Sequence, residues 1–332
     1  MLFATQETAG VYNLIYRHLF DRRRDLPIPS ALLLNAEGMI VKVYQGAVDP
    51  DSVLRDARSI PANATERMRS ALPFPGVLVQ DRLARNDFTY GVAMFQHGYL
   101  DQAEASFLQV LADKPDDADA LYNLGTLSLR RRDLAKANGY LRRTVQIRPN
   151  YPEAWNNLGM IAAEQGQPEE AIQNFQQSIA YRPDYAVALL NLGNVYRRQR
   201  LFDKAHDCLA RALALLPDDP EMNFSLGMLY AQQGQLEPAA RYLEKALVLR
   251  PEYPEALNNL GIVFVRQGDY AHAEEEFRTG IRLAPAFDQS WLNLARLYAL
   301  QNDRERARQV LNQLLAQQPD NANAKKSLEQ LQ

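Results

Sequence analysis

Prolines recur along the chain at one constant spacing, and this period constrains the fold more than any other feature. Each of seven prolines follows the one before it by 34 residues: Pro115, Pro149, Pro183, Pro217, Pro251, Pro285 and Pro319. Six glycines keep the same step, with Ala295 in the seventh place: Gly91, Gly125, Gly159, Gly193, Gly227 and Gly261. A period in this range indicates stacked supersecondary units, each of which buries its apolar face against its neighbours. The sequence therefore predicts an array of repeats with a long open surface.

Each repeat contains two amphipathic helices. Apolar residues three and four apart define their buried faces, and in the unit 152–185 they are Trp155, Leu158 and Ala162, followed by Ala171, Phe175 and Ile179. Gly166 separates the helices, at a point where a left-handed backbone costs glycine little. Pro183 ends the second helix because proline cannot continue its hydrogen bonds. The small residues Gly159 and Ala171 mark the expected close approach of the two helices.

These residues resemble the tetratricopeptide repeat pattern, W-x2-L-G-x2-Y…A-x3-F…P. The resemblance covers residues 84–321 without insertion, as the seven repeats 84–117, 118–151, 152–185, 186–219, 220–253, 254–287 and 288–321. It implies a mainly α fold, an α-solenoid of helix-turn-helix units that form a right-handed superhelix. Asp87 and Asn223 replace the first large apolar residue, and Arg132 and Arg200 replace the glycine between helices, so these repeats are expected to be looser.

The last residues, 322–332, are expected to form a capping helix. Ala324, Leu328 and Leu331 fall at i, i+4 and i+7, and polar residues fill the other side. A helix with one wet face suits the end of an open array.

The first 60 residues do not follow the repeat. One helix is expected around residues 11–19 and a second over 50–60. Two short strands, 31–34 and 39–44, are expected to be joined by a tight turn at 35–38. Residues 61–83, with a short helix at 64–72, are expected to connect this segment to the repeats.

Residues 11–60 resemble the C-terminal half of a thioredoxin- or redoxin-like domain, with Pro29 where that family has a cis-proline before a strand. The N-terminal half of such a domain and its CxxC are missing, so the resemblance carries no redox chemistry. It implies a partial α/β segment that is a remnant, or the tail of a longer protein similar to bacterial ASPIC/UnbV-type multidomain proteins. A redox role would require the missing half from another chain. The apolar strand 31–34 would have an unpaired edge, which predicts self-association.

Composition excludes several classes of function. The net charge of −3 provides no basic field for nucleic acid. The single cysteine, Cys208, rules out an internal disulfide and is expected to be a packing residue. No signal peptide or membrane span is recognisable. The chain as written is predicted to be cytoplasmic, or periplasmic or secreted if it is the tail of a longer exported protein.

The sixth position of each repeat carries a short polar residue on the first helix, which lines the concave surface in arrays of this family. These residues are Thr89, Asn123, Asn157, Asn191, Ser225, Asn259 and Asn293. An asparagine amide offers donors and an acceptor, so it can bind the C=O and N–H of a peptide bond together. Similar rows occur in peptide-binding arrays of this family. The asparagines, with Asn156, Asn194 and Asn258 beside them, are therefore candidate peptide ligands; the alternative is that they only solvate this face.

The thirteenth position carries charge of both signs. It reads Arg130, Glu164, Arg198, Gln232 and Arg266 from the second repeat to the sixth. Glu164 is expected to pair with the arginines on either side of it; if the arginines are free instead, they suit the carboxylate of an acidic peptide or a C-terminus. The lysine-plus-asparagine set of the carboxylate-clamp members of the family is not reproduced.

No catalytic pattern, metal motif or cofactor motif is recognisable, and the four histidines are scattered. The sequence therefore predicts a non-catalytic scaffold that binds an extended peptide or protein segment. The alternative is a structural module that spaces and docks other domains of a larger protein.

Overall fold

The computed structural model of the protein describes residues 30–34, 40–45, 49–58 and 87–331. Within these ranges the strands are β1 (Ser30–Leu34) and β2 (Ile40–Gln45), and the helices are α1 (Pro50–Arg58), α2 (Asp87–Gln96), α3 (Leu100–Asp113), α4 (Ala118–Arg130), α5 (Leu134–Ile147), α6 (Pro152–Glu164), α7 (Pro168–Tyr181), α8 (Ala186–Arg198), α9 (Phe202–Leu215), α10 (Pro220–Gln232), α11 (Leu236–Leu249), α12 (Pro254–Gln267), α13 (Tyr270–Leu283), α14 (Asp288–Leu300), α15 (Arg304–Gln317) and α16 (Ala322–Glu329). The chain divides into two compact units, of which the first ends at Ile147 and the second begins at Arg148.

The first unit includes the two strands predicted before the repeats. β1 and β2 pair antiparallel, with Ser30 opposite Gln45 and an irregularity after Leu33. The predicted second helix is α1, and a side-chain oxygen of Asp49 accepts from the N–H of Ser52 (3.1 Å) in its first turn. The helix predicted at 11–19, the turn at 35–38, Pro29 and the connector 61–83 lie outside the described residues.

Repeats 1 and 2 also belong to the first unit. They are the helix pairs α2–α3 and α4–α5, and they enclose a core in which Met94 and Phe107 are almost fully buried. Leu124 of α4 joins this cluster, so the two repeats share one core. The side chain of Asp117 caps α4 by accepting from the N–H of Ala120 (2.9 Å).

The second unit contains five helix pairs, α6–α7 to α14–α15, which are repeats 3 to 7. Buried residues of neighbouring repeats form continuous clusters; one joins Phe175 to Leu189, and another joins Phe277 to Trp291. The predicted C-terminal helix is α16, whose Ala324 is fully buried against the last repeat. Neighbouring repeats of this unit therefore complete each other's cores, as the 34-residue period predicts.

Close packing inside each repeat depends on the glycine of the first helix. A Cβ atom built on Gly159 would lie 2.6 Å from two ring atoms of Phe175 in the second helix. The equivalent glycines of five other repeats show the same approach to a Phe or Leu, at 2.6–2.8 Å. The predicted close contact at Gly159 is therefore present, and its partner is the large side chain of Phe175.

The residue between the two helices of a repeat has a left-handed backbone. Gly166, with φ at +72°, adopts it without strain, whereas Arg132 and Arg200 adopt it at φ of 60° and 61°. A side chain in this region costs about 1–2 kcal/mol. The two arginines that depart from the repeat pattern are thus strained, which is a physical basis for the predicted weakening of their repeats.

Replacing Arg200 by glycine is expected to stabilise the chain by about 0.5–1 kcal/mol, because relief of backbone strain outweighs the added entropy of the unfolded state. The measurement is the midpoint of thermal or urea unfolding. Gln199→Gly is the matched control, since Gln199 has a right-handed backbone (φ −81°) with no strain to relieve. Equal midpoint shifts in the two variants would contradict the strain argument.

Asn223 is the second kind of departure from the repeat pattern, and it is fully buried. Its Nδ2 donates to the carbonyl oxygens of Pro217 (3.2 Å) and Asp219 (2.8 Å). The indole of Trp155 at the equivalent place donates to Pro149 (2.7 Å) in the same way. The Oδ1 atom of Asn223 is buried and has no hydrogen-bond partner among the described residues, which weakens repeat 5 because an unpaired buried acceptor is costly.

Candidate functional site

The predicted asparagines lie on successive first helices and are half-buried there. In the second unit, Asn157 is on α6, Asn191 on α8, Asn259 on α12 and Asn293 on α14, while Ser225 on α10 is buried. Asn123 is on α4 of the first unit. Several of these helices begin with proline in the first turn, where a missing N–H costs nothing. The repeat register thus brings one short polar side chain from each first helix to an equivalent place.

Two of these asparagines bind the preceding repeat. Nδ2 of Asn191 donates to Oδ1 of Asn156 (3.0 Å), and Nδ2 of Asn293 donates to Oδ1 of Asn258 (2.8 Å). Asn156 and Asn258 are only 3% and 4% exposed. The structure therefore places these two predicted ligand candidates beneath the surface, where they hold the amide of the next repeat.

The remaining amide groups are satisfied only in part. Asn123 and Asn259 each donate through Nδ2 to the carbonyl one turn earlier in their own helix, Asp119 (2.8 Å) and Glu255 (2.7 Å). Among the described residues, no hydrogen bond reaches Oδ1 of Asn191 or Oδ1 of Asn259, and Nδ2 of Asn157 has no acceptor. Asn157, Asn191 and Asn259 thus each keep one hydrogen-bonding group for another molecule or for water.

Asn194 joins the fourth repeat to the fifth. Its Nδ2 donates to Oγ of Ser225 (3.1 Å), and its Oδ1 accepts from Nε of Arg197 (3.4 Å). Because both partners sit on the first helices, Asn194 is at the centre of a small polar network on this face. It is a predicted site residue that the structure places beside Asn191.

A groove of about 510 Å³ lies along the first helices of repeats 3 to 5 and reaches Tyr253. The apolar part of its lining includes Met160, Leu190 and Phe224. The polar and charged part includes Asn191, Asn194, Arg197, Arg198, Glu164 and Glu221. The mixture of apolar wall and convergent polar groups is typical of a binding site.

The arginines of the thirteenth position differ in their contacts. Arg130 donates to the carbonyl oxygen of Phe95 (3.4 Å) and Arg266 to that of Ala231 (2.5 Å), each near the end of the preceding repeat's first helix. A cation is favourable at a helix C-terminus, where carbonyls lack partners. These two predicted site residues therefore link consecutive repeats.

Within the second unit, the predicted pairing of Glu164 with Arg198 is wrong. Glu164 and Arg198 are both exposed, and neither has an ion-pair partner among the described residues. Exposed pairs gain little in water, so nothing forces the two side chains together.

Arg197 is the functional candidate that the sequence analysis missed, because the twelfth position carries an apolar residue in the other six repeats: Phe95, Leu129, Ala163, Ala231, Val265 and Ala299. It is half-buried in the groove wall beside Arg198. Burial lowers the pKa of Arg197, and the like charge of Arg198 lowers it further. The signal available in the sequence was the pair Arg197-Arg198 at the end of a first helix.

The far end of the groove is built by a stacked pair. Arg250 lies over the ring of Tyr253, with 4.7 Å from its guanidinium carbon to the ring centre, and contacts Glu221 (3.4 Å). Burial, followed by the nearby charge of Glu221, raises the pKa of Tyr253 to about 12. Tyr253 is therefore a neutral phenol, and Glu221 forms an exposed ion pair with Arg250.

Among the described residues, no cluster of three or more His, Cys, Asp or Glu side chains has the arrangement of a metal site. Over the same ranges, no helix is both long and apolar enough to cross a lipid bilayer. His272 bonds the capping carboxylate of Asp269 (2.6 Å), and His206 bonds the hydroxyl of Tyr230 (3.1 Å). These histidines have local structural partners.

Comparison with solved structures shows the same architecture in other proteins. A chain of the APC/C hetero-tetramer Cut9–Hcn1 superposes with a TM-score of 0.61 at 17% identity, over 74% of this chain and 52% of that one. This protein thus spans about half the length of that chain. A tetratricopeptide repeat protein from Parabacteroides merdae gives 0.59 at 16% identity, over 74% and 97% of the two chains. PilF of Pseudomonas aeruginosa gives 0.55 at 22% identity, over 64% and 97%. At these identities the likeness shows the fold alone.

A search of the curated proteins finds no match to the chain. Protein-family models described as tetratricopeptide repeat match residues 91–152, 150–218, 192–248, 226–286 and 264–331. None of these matches extends into residues 11–60, so the thioredoxin-like resemblance and the ASPIC/UnbV-type origin receive no support from them and stay predictions. Together the repeat models cover more than half of the 332 residues, and the chain belongs to the tetratricopeptide repeat family.

Proposed function

We propose that the protein is a non-catalytic scaffold that binds an extended peptide or protein segment along the first helices of its repeats. The repeat fold implies a protein-interaction role. The observation that carries the finer proposal is the row of incompletely bonded amides at Asn157, Asn191 and Asn259, of which Asn191 lies in a groove of about 510 Å³.

An extended peptide suits these groups chemically. The open oxygens of Asn191 and Asn259 accept from backbone N–H groups, and Nδ2 of Asn157 donates to a backbone carbonyl. The bonds from Asn191 to Asn156 and from Asn293 to Asn258 fix the amide orientations before a ligand arrives. Groups that are held in place in advance lose less entropy on binding.

The same inter-repeat bonds also favour the second candidate function, a structural module that spaces other domains of a larger protein. In that case the asparagines serve to join repeats, and the groove holds no peptide. The two functions differ in one measurable property, which is whether the full chain binds short peptides on this face.

Replacing Asn157 by alanine is expected to weaken peptide binding by about tenfold, because it removes an amide that makes no strong bond within the protein. Peptides are first selected on the full chain from a random library, and the affinity of an enriched peptide is then measured by titration calorimetry.

The matched control is Asn312→Ala, which removes an exposed asparagine from the second helix α15. It is expected to leave the affinity unchanged, and both variants are checked for unaltered unfolding midpoints. Unchanged binding by Asn157→Ala, or no enriched peptide on any form of the chain, would favour the structural module instead.

A further inference from the structure

The groove contains a guanidinium whose charge is poorly compensated. Arg197 is half-buried, and its one described hydrogen bond is a long contact (3.4 Å) from Nε to the neutral amide of Asn194. Among the described residues, the charged neighbour that lowers the pKa of Arg197 is Arg198, which has the same sign. A buried or partly buried charge is normally paired, since desolvation without a partner is costly.

The acidic residues of the groove do not supply that partner. Glu221 contacts Arg250 at 3.4 Å, so its charge is engaged at the far end of the groove. Among the described residues, Glu164 has no ion pair, and neither Arg197 nor Arg198 forms one with a carboxylate. The position beside Arg197 and Arg198 is therefore complementary to an anion from outside the chain.

The repeat register indicates where on a ligand this anion sits. Arg197 and Arg198 end the first helix of repeat 4, and equivalent amides lie in repeat 3 at Asn157 and in repeat 6 at Asn259. A segment that contacts both amides passes the arginines in its middle and not at its end. An internal side chain is then the part of the ligand that reaches them.

We propose that Arg197 and Arg198 bind the carboxylate of an internal Asp or Glu side chain of the segment that the first helices hold. This proposal rests on the peptide-binding function proposed above and adds the chemical class of its ligand. Asn191 lies in the same groove and bonds the adjoining backbone through its open oxygen, Asn194 holds Arg197 in place, and Met160, Leu190 and Phe224 supply apolar lining. The expected ligand is an acidic peptide with apolar residues beside the acid.

The test is a selection of random 12-residue peptides on the full chain, with each peptide fused at its C-terminus so that no free terminal carboxylate is present. Selections are run on the wild type, Arg197→Gln, the exposed-site variant Arg198→Gln, and the control Arg241→Gln. Arg241 is an exposed arginine of the second helix α11 with no ion pair among the described residues. The expected result is enrichment of Asp and Glu on the wild type and on the control, and loss of that preference in both groove variants.

Titration calorimetry with one enriched peptide, blocked at both termini, measures how much the acidic side chain contributes to the affinity. Its Glu→Gln form is expected to bind the wild type about tenfold more weakly, since a charge-assisted bond is replaced by a neutral one. On Arg198→Gln the two forms are expected to bind within about twofold of each other. Arg198 is exposed, so this variant stays informative even where Arg197→Gln lowers stability.

The outcomes separate this proposal from the function on which it rests. Peptides that bind the wild type and are weakened by Asn157→Ala, but show no preference for Asp or Glu, overturn the carboxylate site and leave the peptide-binding function standing. A preference for Asp or Glu that persists in both groove variants also overturns it. If no peptide is enriched on the wild type, both proposals fail.

Discussion

Replacing Phe277 by alanine is expected to lower the free energy of unfolding of the last repeats by about 3–5 kcal/mol, the usual cost of removing a buried phenylalanine. Phe277 is 1% exposed and belongs to the cluster that includes Trp291 of the next repeat. Its ring also packs against Gly261, because a Cβ atom built on Gly261 would lie only 2.6 Å from a ring carbon of Phe277. Alanine leaves a cavity between helices that the rigid repeat cannot close.

The two tryptophans of the chain allow unfolding to be followed separately in two repeats. Trp155 is in repeat 3 and Trp291 in repeat 7, so single-tryptophan variants (Trp155→Phe or Trp291→Phe) report urea unfolding at two places. Because each repeat contacts only its neighbours, the transition seen by Trp291 is expected to shift to lower urea more than that seen by Trp155. Leu283→Ala, at a site 40% exposed on the same helix, is the control with little effect. Equal shifts at both tryptophans would contradict nearest-neighbour stability.

Replacing Gly159 by alanine is expected to destabilise the chain by about 2 kcal/mol, although alanine is the better helix former. The added Cβ would lie 2.6 Å from the ring of Phe175, a distance that forces the two helices of repeat 3 apart. Gly139 on α5 is the matched control, because no atom lies within 4 Å of its added Cβ. There the same substitution is expected to stabilise by about 0.5–1 kcal/mol.

A double variant tests whether the clash itself is the cause. Repeat 7 has Ala295 and Leu311 where repeat 3 has Gly159 and Phe175, and both residues are buried there. Gly159→Ala combined with Phe175→Leu is therefore expected to recover part of the loss, as judged from unfolding midpoints. A double variant no more stable than the sum of its single changes would contradict this packing argument.

The helices of the repeats could be predicted closely from the sequence, for physical reasons that are local. In the unit 152–185, Pro152 and Gly166 mark the start of the first helix and the turn, and the structure has helices at Pro152–Glu164 and Pro168–Tyr181. Helix capping, helical periodicity and proline geometry act within a few residues, so the helix boundaries can be predicted from the local sequence. The strained backbone of Arg200 was predictable for the same reason, since glycine holds that place in four repeats.

The hydrogen bonding of the candidate site could be predicted only in part. Counting from the repeat start identifies Asn191, but not that its amide binds Asn156 of the preceding repeat. Nor does it show that Arg266 binds the carbonyl of Ala231, 35 residues earlier. These contacts depend on the rotation between stacked helices, which no spacing along the chain encodes. The pairing predicted for Glu164 failed for that reason.

Hydrogen–deuterium exchange of the full chain with a selected peptide tests the central claim most directly, because it locates the bound segment. The predicted result is slower exchange confined to the first helices α6, α8, α10 and α12, with Asn157→Ala reducing the effect at equal peptide concentration. Protection that falls instead on the second helices α7, α9 and α11, or no change under saturating peptide, would contradict binding along the asparagine face.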